Sequence, residues 1–227
     1  MDTKSFPSTC RHFANIDVTH LNFKEIIMEE KIFFQSGDIQ IEGMLYKVSD
    51  DKGVVVTHPH PVYGGDMYNY VVELIAASYR KKGYTTLRFN FRGKGESQGS
   101  HDDGKGEQDD VIAAVQYLSD IGIKNIDLAG YSFGAWIIAR AIGRIENIGN
   151  MVLVSPAVSF LDYSMVTSIN NLKLVVSGSM DEFAPVEALE NIVSVWNKET
   201  DLEIINGADH FYMKGLDTLA SILDSYL

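Results

Sequence analysis

The amino-acid sequence predicts an α/β fold with an about eight-stranded, mostly parallel sheet and helices on both faces. Short apolar runs alternate with segments of helical length along the chain of 227 residues. Two opening strands are joined by the turn residues Ser36-Gly37-Asp38. With 45% hydrophobic residues and no linker or repeat, the chain can bury one substantial core, so we expect a single domain over residues 29–227.

After the two opening strands, the predicted strands and helices follow one another in a regular alternation. Leu174-Val175-Val176 is a β-branched run typical of a strand, and Pro185 favours the start of a helix. Residues 135–141 are apolar on nearly every side, which indicates a buried helix. In chain order, we predict strands at 30–35, 39–48 and 53–58, a helix at 67–82, a strand at 84–91, a helix at 107–120, a strand at 125–131, a helix at 133–144, a strand at 150–155, a helix at 160–168, a strand at 172–177, a helix at 185–197, a strand at 201–206 and a helix at 211–226.

Residues 1–28 do not fit this alternation. They contain Thr, Asn and His residues without a clear period, and Met28 stands just before the folded pattern begins. We expect an N-terminal extension there, disordered or loosely packed.

The charge and the cysteine content restrict the possible partners. The net charge of −12 and the pI near 4.8 argue against nucleic-acid binding and favour a neutral or cationic substrate. The single cysteine, Cys10, cannot form an internal disulfide, no segment is apolar and long enough to span a bilayer, and the first residues lack a secretory signal. We therefore expect a cytoplasmic protein, monomeric or homodimeric, that binds a small molecule.

The segment Gly130-Tyr131-Ser132-Phe133-Gly134 has the sequence form of a nucleophile elbow. An apolar run at 125–129 precedes it and the apolar helix follows it, so the serine falls at a turn from strand to helix. Such a turn strains the serine backbone, projects its hydroxyl from the sheet and leaves no room for side chains at the two flanking positions. Ser132 is therefore the candidate nucleophile.

A serine hydroxyl needs a histidine to accept its proton and a carboxylate to orient that histidine. His210 lies in a glycine-containing loop after the apolar strand at 201–206, late in the chain, as the order serine, acid, histidine requires. Asp181 follows the strand at 172–177 and a Gly/Ser turn, which makes it the candidate acid. Glu182 is the nearest rival, with a charge in the first helical turn as its alternative role.

The order Ser132, Asp181, His210 and two further segments resemble the α/β-hydrolase family. Residues 54–65, with His58-Pro59-His60-Pro61, are similar to the strand and loop that supply half of the oxyanion hole, and residues 88–97 are similar to the family's Arg-Gly-x-Gly-x-Ser loop. The resemblance extends from about residue 30 to the C-terminus and is strongest to small capless serine hydrolases of the dienelactone hydrolase and serine peptidase branch. Only residues 157–171 lie between the sixth predicted strand, with Pro156 after it, and the seventh. So short a connection implies an α/β-hydrolase fold without a sizeable lid.

The oxyanion hole needs two backbone N–H groups aimed at the developing negative charge. Phe133, which follows the nucleophile, is one predicted donor. Pro59 and Pro61 have no N–H, so His60 is the predicted donor in the preceding loop, although Pro59 replaces the glycine of the family's His-Gly-x motif. A different interpretation makes His58 and His60, with Asp66, a metal site, although no second cluster of ligands supports it.

Loop position alone suggests the walls of the substrate site. We predict that these residues contact substrate: His58, Tyr63, Met67, Tyr68, Phe160, Tyr163 and Phe183, with Phe133 beside them. Their aromatic character suits an acyl or aryl group. The glycines at 93–106 match neither a phosphate-binding nor a dinucleotide-binding loop, and a turn-rich connection is the better interpretation.

The sequence thus predicts a serine hydrolase that cleaves a carboxylic ester or thioester through an acyl-enzyme intermediate, without a cofactor or a metal. An aminoacyl or short-peptide peptidase would use the same groups, but it would need an acidic anchor for the substrate amine, for which only Glu182 or Asp66 is available. A catalytically silent hydrolase fold that binds a ligand is the alternative from another class.

Overall fold

The computed structural model describes residues 29–227, so the predicted extension over residues 1–28 lies outside the described residues. Two short 3₁₀ helices cover Pro61–Tyr63 and Ile142–Arg144. The strands are β1 (Glu30–Ser36), β2 (Ile39–Tyr46), β3 (Lys52–Thr57), β4 (Thr85–Phe89), β5 (Asn125–Tyr131), β6 (Ile148–Val154), β7 (Leu172–Gly178) and β8 (Asp201–Ile205). The α-helices are α1 (Tyr70–Lys81), α2 (Gly106–Asp120), α3 (Phe133–Ala141), α4 (Val186–Trp196) and α5 (Leu216–Tyr226).

The eight strands form one sheet in the order β1-β2-β4-β3-β5-β6-β7-β8. Strand β2 is antiparallel to both of its neighbours, β1 and β4, and the remaining pairs are parallel. The predicted eight-stranded, mostly parallel sheet is therefore confirmed. Because the carboxyl ends of the parallel strands meet at one edge, the turns after β3, β5, β7 and β8 lie close together.

The two faces of the sheet bury separate apolar clusters. Val54 and Val56 of β3 belong to the cluster with α1 and α5, whereas Val55 between them belongs to the cluster with α2, α3 and α4. This alternation follows from the opposite directions of successive side chains in a strand. Helices therefore cover both faces, as predicted.

One predicted helix, at 160–168, does not form. Between β6 and β7 the chain makes only turns, and its peptide groups bond to distant elements: Ser159 N–H donates to Phe183 C=O, and Ile169 N–H donates to Trp196 C=O. Tyr163 packs on Trp196 with ring centroids 5.1 Å apart. Tertiary contacts thus replace the hydrogen bonds of a helix, and the segment packs down on the domain.

Other boundaries differ by a few residues for local reasons. Helix α1 begins at Tyr70 because the Asn69 side chain caps it by accepting the Val71 N–H. Helix α5 begins at Leu216, after Gly215 in the left-handed conformation. None of the helices within residues 29–227 combines the length and apolarity needed to cross a membrane.

Candidate active site

Ser132 stands alone between the end of β5 and the start of α3. Its backbone has φ 56° and ψ −114°, a conformation that L residues rarely adopt. A Cβ atom at Gly130 would lie 2.7 Å from Thr57 Oγ1, and one at Gly134 would lie 2.7 Å from the His58 carbonyl oxygen. The predicted crowding on both sides of the serine is therefore present, and its source is the end of β3.

The side chains of Ser132, His210 and Asp181 form one continuous hydrogen-bonded chain. Ser132 Oγ lies 2.9 Å from His210 Nε2, and His210 Nδ1 lies 2.9 Å from each carboxylate oxygen of Asp181. All three residues are buried, with relative exposures of 7%, 7% and 3%. The structure thus brings together the three residues that the sequence proposed as nucleophile, base and acid.

The Asp181 carboxylate is held in its ionised form by several donors. Its Oδ1 accepts the N–H groups of Phe183 and Ala184, both at 2.9 Å, and its Oδ2 accepts the Ser177 hydroxyl at 3.2 Å. Burial alone would raise the pKa of Asp181, but His210 and these hydrogen bonds outweigh burial and the pKa lies below its usual value. An ionised acceptor places the proton of a neutral His210 on Nδ1 and leaves Nε2 free to accept the serine proton.

The two nearest rival carboxylates do not reach His210. Glu182 is exposed to solvent. Asp209 accepts the N–H of Met213 at 3.1 Å, within its own loop. The geometry therefore favours Asp181 over both.

Two backbone donors face the space beside Ser132. Phe133 is the first residue of α3, so its N–H has no acceptor within the helix. The Pro59 carbonyl, which shares a peptide unit with the His60 N–H, lies 2.6 Å from His58 Nδ1, and the His60 carbonyl accepts the N–H groups of Tyr63 and Gly65 at 3.1 and 3.0 Å. No acceptor within residues 29–227 bonds the His60 N–H. Both residues line the same pocket as Ser132, and their rings lie 4.5 Å apart.

His58 has a structural position outside the pocket, which corrects its prediction as a substrate contact and disfavours the alternative metal interpretation. The ring is fully buried, its Nδ1 lies 2.6 Å from Pro59 C=O, and its Nε2 accepts the Phe91 N–H at 3.0 Å. Burial lowers the pKa of His58 to about 3, so the ring is neutral. Because both ring nitrogens are occupied, neither can bind a metal or substrate, and no group of three His, Cys, Asp or Glu residues in the described chain could hold a metal.

An open pocket of about 490 Å³ lies above Ser132 and is mainly aromatic. Of the predicted walls, Tyr63, Phe133, Phe160 and Phe183 line it. Among residues 29–227, none that line the pocket is Asp, Glu, Lys or Arg. The full lining is Pro59, His60, Tyr63, Gly64, Gly65, Asn69, Tyr131, Ser132, Phe133, Ala157, Phe160, Leu161, Phe183, His210 and Phe211.

Three other predicted walls lie outside this pocket. Met67 is fully buried beneath the loop, where its N–H donates to Asn90 Oδ1 at 2.9 Å. Tyr163 is buried against Trp196, and Tyr68 lies over the guanidinium of Arg88, 5.2 Å from the ring centroid. Their places in the sequence were compatible with the site, but their side chains point elsewhere.

Sequence reasoning missed several residues that do line the pocket. Phe211 directly follows His210, and Tyr131 belongs to the elbow pentapeptide, so nearness in sequence could have indicated both. Asn69 had no such signal, because its place in the pocket depends on where α1 begins. The pocket is therefore more aromatic than the sequence indicated.

The glycine-containing loop after β4 supports the site from behind. Arg92 bonds the buried carboxylate of Asp110, with Nη2 and Oδ1 2.8 Å apart, and the Phe91 N–H reaches His58. A Cβ atom at Gly95 would lie 2.3 Å from Asn90 Nδ2. The loop is a turn-rich connection, as predicted, whose glycines permit close packing.

Comparison with known proteins places these features in a family. A model of the alpha/beta hydrolase family matches residues 54–218. An uncharacterized protein of Rickettsia prowazekii is 32% identical over an alignment of 209 positions, and the match covers 87% of this chain and 88% of that protein.

Among solved structures, an alpha-beta serine hydrolase homologue from Coxiella burnetii is 32% identical, with a TM-score of 0.80 over 87% of this chain and 97% of that chain. A serine hydrolase without a lid from Xanthomonas campestris is 28% identical, with a TM-score of 0.78 over 87% of this chain and 92% of that chain.

Proposed function

Because the chain belongs to the alpha/beta hydrolase family, we propose that it is a serine hydrolase that cleaves a carboxylic ester or thioester through an acyl-enzyme intermediate. The observation that carries the proposal is the chain of hydrogen bonds from Ser132 through His210 to Asp181. A nucleophile, a base and an orienting carboxylate in this order are what acyl transfer from a serine requires.

In the proposed reaction, Ser132 Oγ attacks the carbonyl carbon while His210 Nε2 takes the hydroxyl proton. The carbonyl oxygen becomes an oxyanion, which the N–H groups of Phe133 and His60 stabilise. The bond to the leaving group then breaks, and His210 returns its proton to that group. A water molecule then attacks the acyl-enzyme carbonyl while His210 takes its proton. The bond from the acyl carbon to Ser132 Oγ breaks, His210 returns the proton to Oγ, and the carboxylic acid leaves.

The pocket favours an uncharged, apolar acyl or aryl group. The Phe183 ring lies 5.8 Å from the Phe160 ring and 4.7 Å from the His210 ring, and Phe160 lies 6.2 Å from Tyr63, so aromatic surface borders the nucleophile. A charged acyl group would lose water without finding an ionic partner in this wall.

The pocket disfavours the aminoacyl peptidase alternative. Neither acidic anchor considered from the sequence lines the pocket, since Glu182 is exposed and Asp66 Oδ1 accepts the N–H of Tyr68 at 2.9 Å. A catalytically silent fold is disfavoured because the three groups needed for acyl transfer are within hydrogen-bonding distance. The proposed mechanism uses no cofactor.

Labelling with a fluorophosphonate, together with hydrolysis of p-nitrophenyl acyl esters, acyl thioesters and aminoacyl amides, tests the proposal. We expect the wild type to be labelled and to cleave the esters or thioesters, and we expect Ser132→Ala to lose both properties. Ser225→Ala is the matched control, because Ser225 is exposed and bonds only within its own helix. Persistent labelling of Ser132→Ala, or a preference for aminoacyl amides, would contradict the proposal.

A further inference from the structure

The base of the proposed triad is carried by an irregular loop, which extends over residues 206–215 between β8 and α5. Acyl transfer needs His210 to be held within a fraction of an ångström of its productive position. Backbone bonds tie the loop to its neighbour at Ala208, whose carbonyl accepts the Met180 N–H at 2.9 Å, but no backbone donor among residues 29–227 reaches the carbonyls of His210 and Phe211. Other groups must fix this part of the loop.

Three consecutive residues of this loop are fixed by side-chain hydroxyl groups. The Tyr131 hydroxyl donates to the carbonyl of His210 at 2.7 Å, and the Tyr70 hydroxyl donates to the carbonyl of Phe211. The Tyr212 hydroxyl lies 2.9 Å from Ser155 Oγ. These contacts hold the backbone that directly follows the His210 side chain.

We propose that Tyr131 is a positioning residue for His210, with Tyr70 as its partner, and that their hydroxyl groups lock the histidine loop onto the nucleophile elbow. Tyr131 is the last residue of β5 and directly precedes Ser132. The strand that carries the nucleophile therefore also carries the hydroxyl that fixes the base. This inference rests on the proposed function, because it assigns His210 the role of base.

The environment of Tyr131 supports this role. The residue is only 2% exposed, and its ring lies 5.7 Å from the ring of His210. Burial raises the pKa of Tyr131, so its hydroxyl stays protonated as a donor. A buried donor of this kind would be costly to leave unpaired, which favours its bond to the His210 carbonyl.

Tyr70 approaches the loop from another element. It is the first residue of α1, and its ring is 41% exposed, so solvent partly competes for its hydroxyl. The two tyrosines thus bond adjacent carbonyls, Tyr131 from inside the protein and Tyr70 from the solvent side. We expect Tyr131 to contribute more because its hydrogen bond is shielded from water.

The test compares Tyr131→Phe and Tyr70→Phe with Tyr79→Phe. Tyr79 is the matched control, because it is fully buried in α1 and its hydroxyl has no hydrogen-bond partner among the described residues. We expect Tyr131→Phe to lower kcat and the rate of fluorophosphonate labelling about tenfold, the effect of one lost hydrogen bond. KM should stay within about twofold, because phenylalanine keeps the ring of Tyr131 in the pocket wall and removes only the hydroxyl that bonds the His210 carbonyl. Tyr79→Phe should keep wild-type rates.

A second measurement does not depend on turnover. The proton on His210 Nδ1, shared with Asp181, gives a downfield NMR signal, and a looser loop should exchange that proton with water faster. We expect the signal to be broadened in Tyr131→Phe and unchanged in Tyr79→Phe. Wild-type rates with an unaltered signal in Tyr131→Phe would overturn the inference, and so would a loss of kcat equal to that of Tyr79→Phe.

Failure of the inference and failure of the proposed function are distinguishable. Labelling that survives Ser132→Ala refutes the proposed function, whatever the tyrosine variants do. Labelling that depends on Ser132 but is unaffected by Tyr131→Phe refutes only the positioning role.

Discussion

Replacing Ser132 by glycine should make the protein more stable than replacing it by alanine, although both variants lose the nucleophile. Ser132 adopts φ 56° and ψ −114°. An L side chain in such a region costs about 1–3 kcal/mol, whereas glycine adopts it without a Cβ penalty. Alanine keeps the Cβ atom and therefore keeps the strain.

The expected difference follows from two opposing terms. Glycine relieves the strain of about 1–3 kcal/mol but loses roughly 0.5–1 kcal/mol more conformational entropy on folding than alanine does. Both variants lack the hydroxyl and its bond to His210, so that loss cancels in the comparison. We expect Ser132→Gly to exceed Ser132→Ala by about 1 kcal/mol, which is about 2–4 °C in Tm for a domain of this size.

Thermal and urea unfolding of the two variants measure this difference. The pair Ser225→Gly and Ser225→Ala provides the control, because Ser225 lies in the last turn of α5, where glycine should be the less stable of the two. The sign of the glycine effect should therefore reverse between the two sites. If Ser132→Gly were equal to or less stable than Ser132→Ala, the elbow would carry no backbone strain and the argument would be wrong.

Two further predictions concern the acid and the buried histidine. Asp181→Asn should lower kcat for ester hydrolysis by a factor on the order of 10⁴, because an amide cannot hold the required tautomer of His210. If Asp181→Asn kept near-wild-type turnover and Glu182→Gln lost it, Glu182 would be the acid instead of Asp181. Burial lowers the pKa of folded His58 to about 3 from the usual 6.5, so only the unfolded chain gains this proton as pH falls below 6.5, and stability declines until pH nears 3. Urea unfolding should therefore show wild type losing about 1.6 kcal/mol between pH 6.5 and pH 5 through this residue, and His58→Gln should lack that part of the loss. An equal acid slope in both proteins would contradict the assignment.

The fold was largely predictable because strand and helix signals are local. The β-branched run at 174–176 and the apolar run at 125–129 each formed the strand that was predicted. The helix predicted at 160–168 failed for a nonlocal reason. Its carbonyls at Asp162 and Val166 accept the indole N–H groups of Trp136 and Trp196, whose positions depend on the packed domain.

The positions of Ser132, Asp181 and His210 were also predictable, since each follows a strand and the three carboxyl ends converge. The substrate walls were not. His58 and His60 are two residues apart at the end of β3, yet the first is buried and the second lines the pocket. The difference arises because the Phe91 N–H provides a partner for His58 inside the protein, and the 3₁₀ turn at Pro61 carries the chain outward.

The proposed reacting groups are placed by two different physical means. The elbow and the His60 loop are aligned by backbone packing, because Thr57 and His58 contact Gly130 and Gly134 directly and leave no space for a shift. The loop of His210 packs in this way only before the histidine, at Ala208, whose carbonyl oxygen would lie 2.1 Å from a Cβ atom at Gly178, and the carbonyls of His210 and Phe211 are bonded by the hydroxyl groups of side chains. We therefore expect a substitution at either glycine to displace Ser132 relative to both proposed oxyanion donors, and loss of a tyrosine hydroxyl to loosen only the proposed base. Acyl transfer needs all of these groups in place at once. We therefore expect the packed glycines to set the direction in which Ser132 attacks, and the tyrosine hydrogen bonds to set the fraction of time in which His210 is positioned to accept its proton.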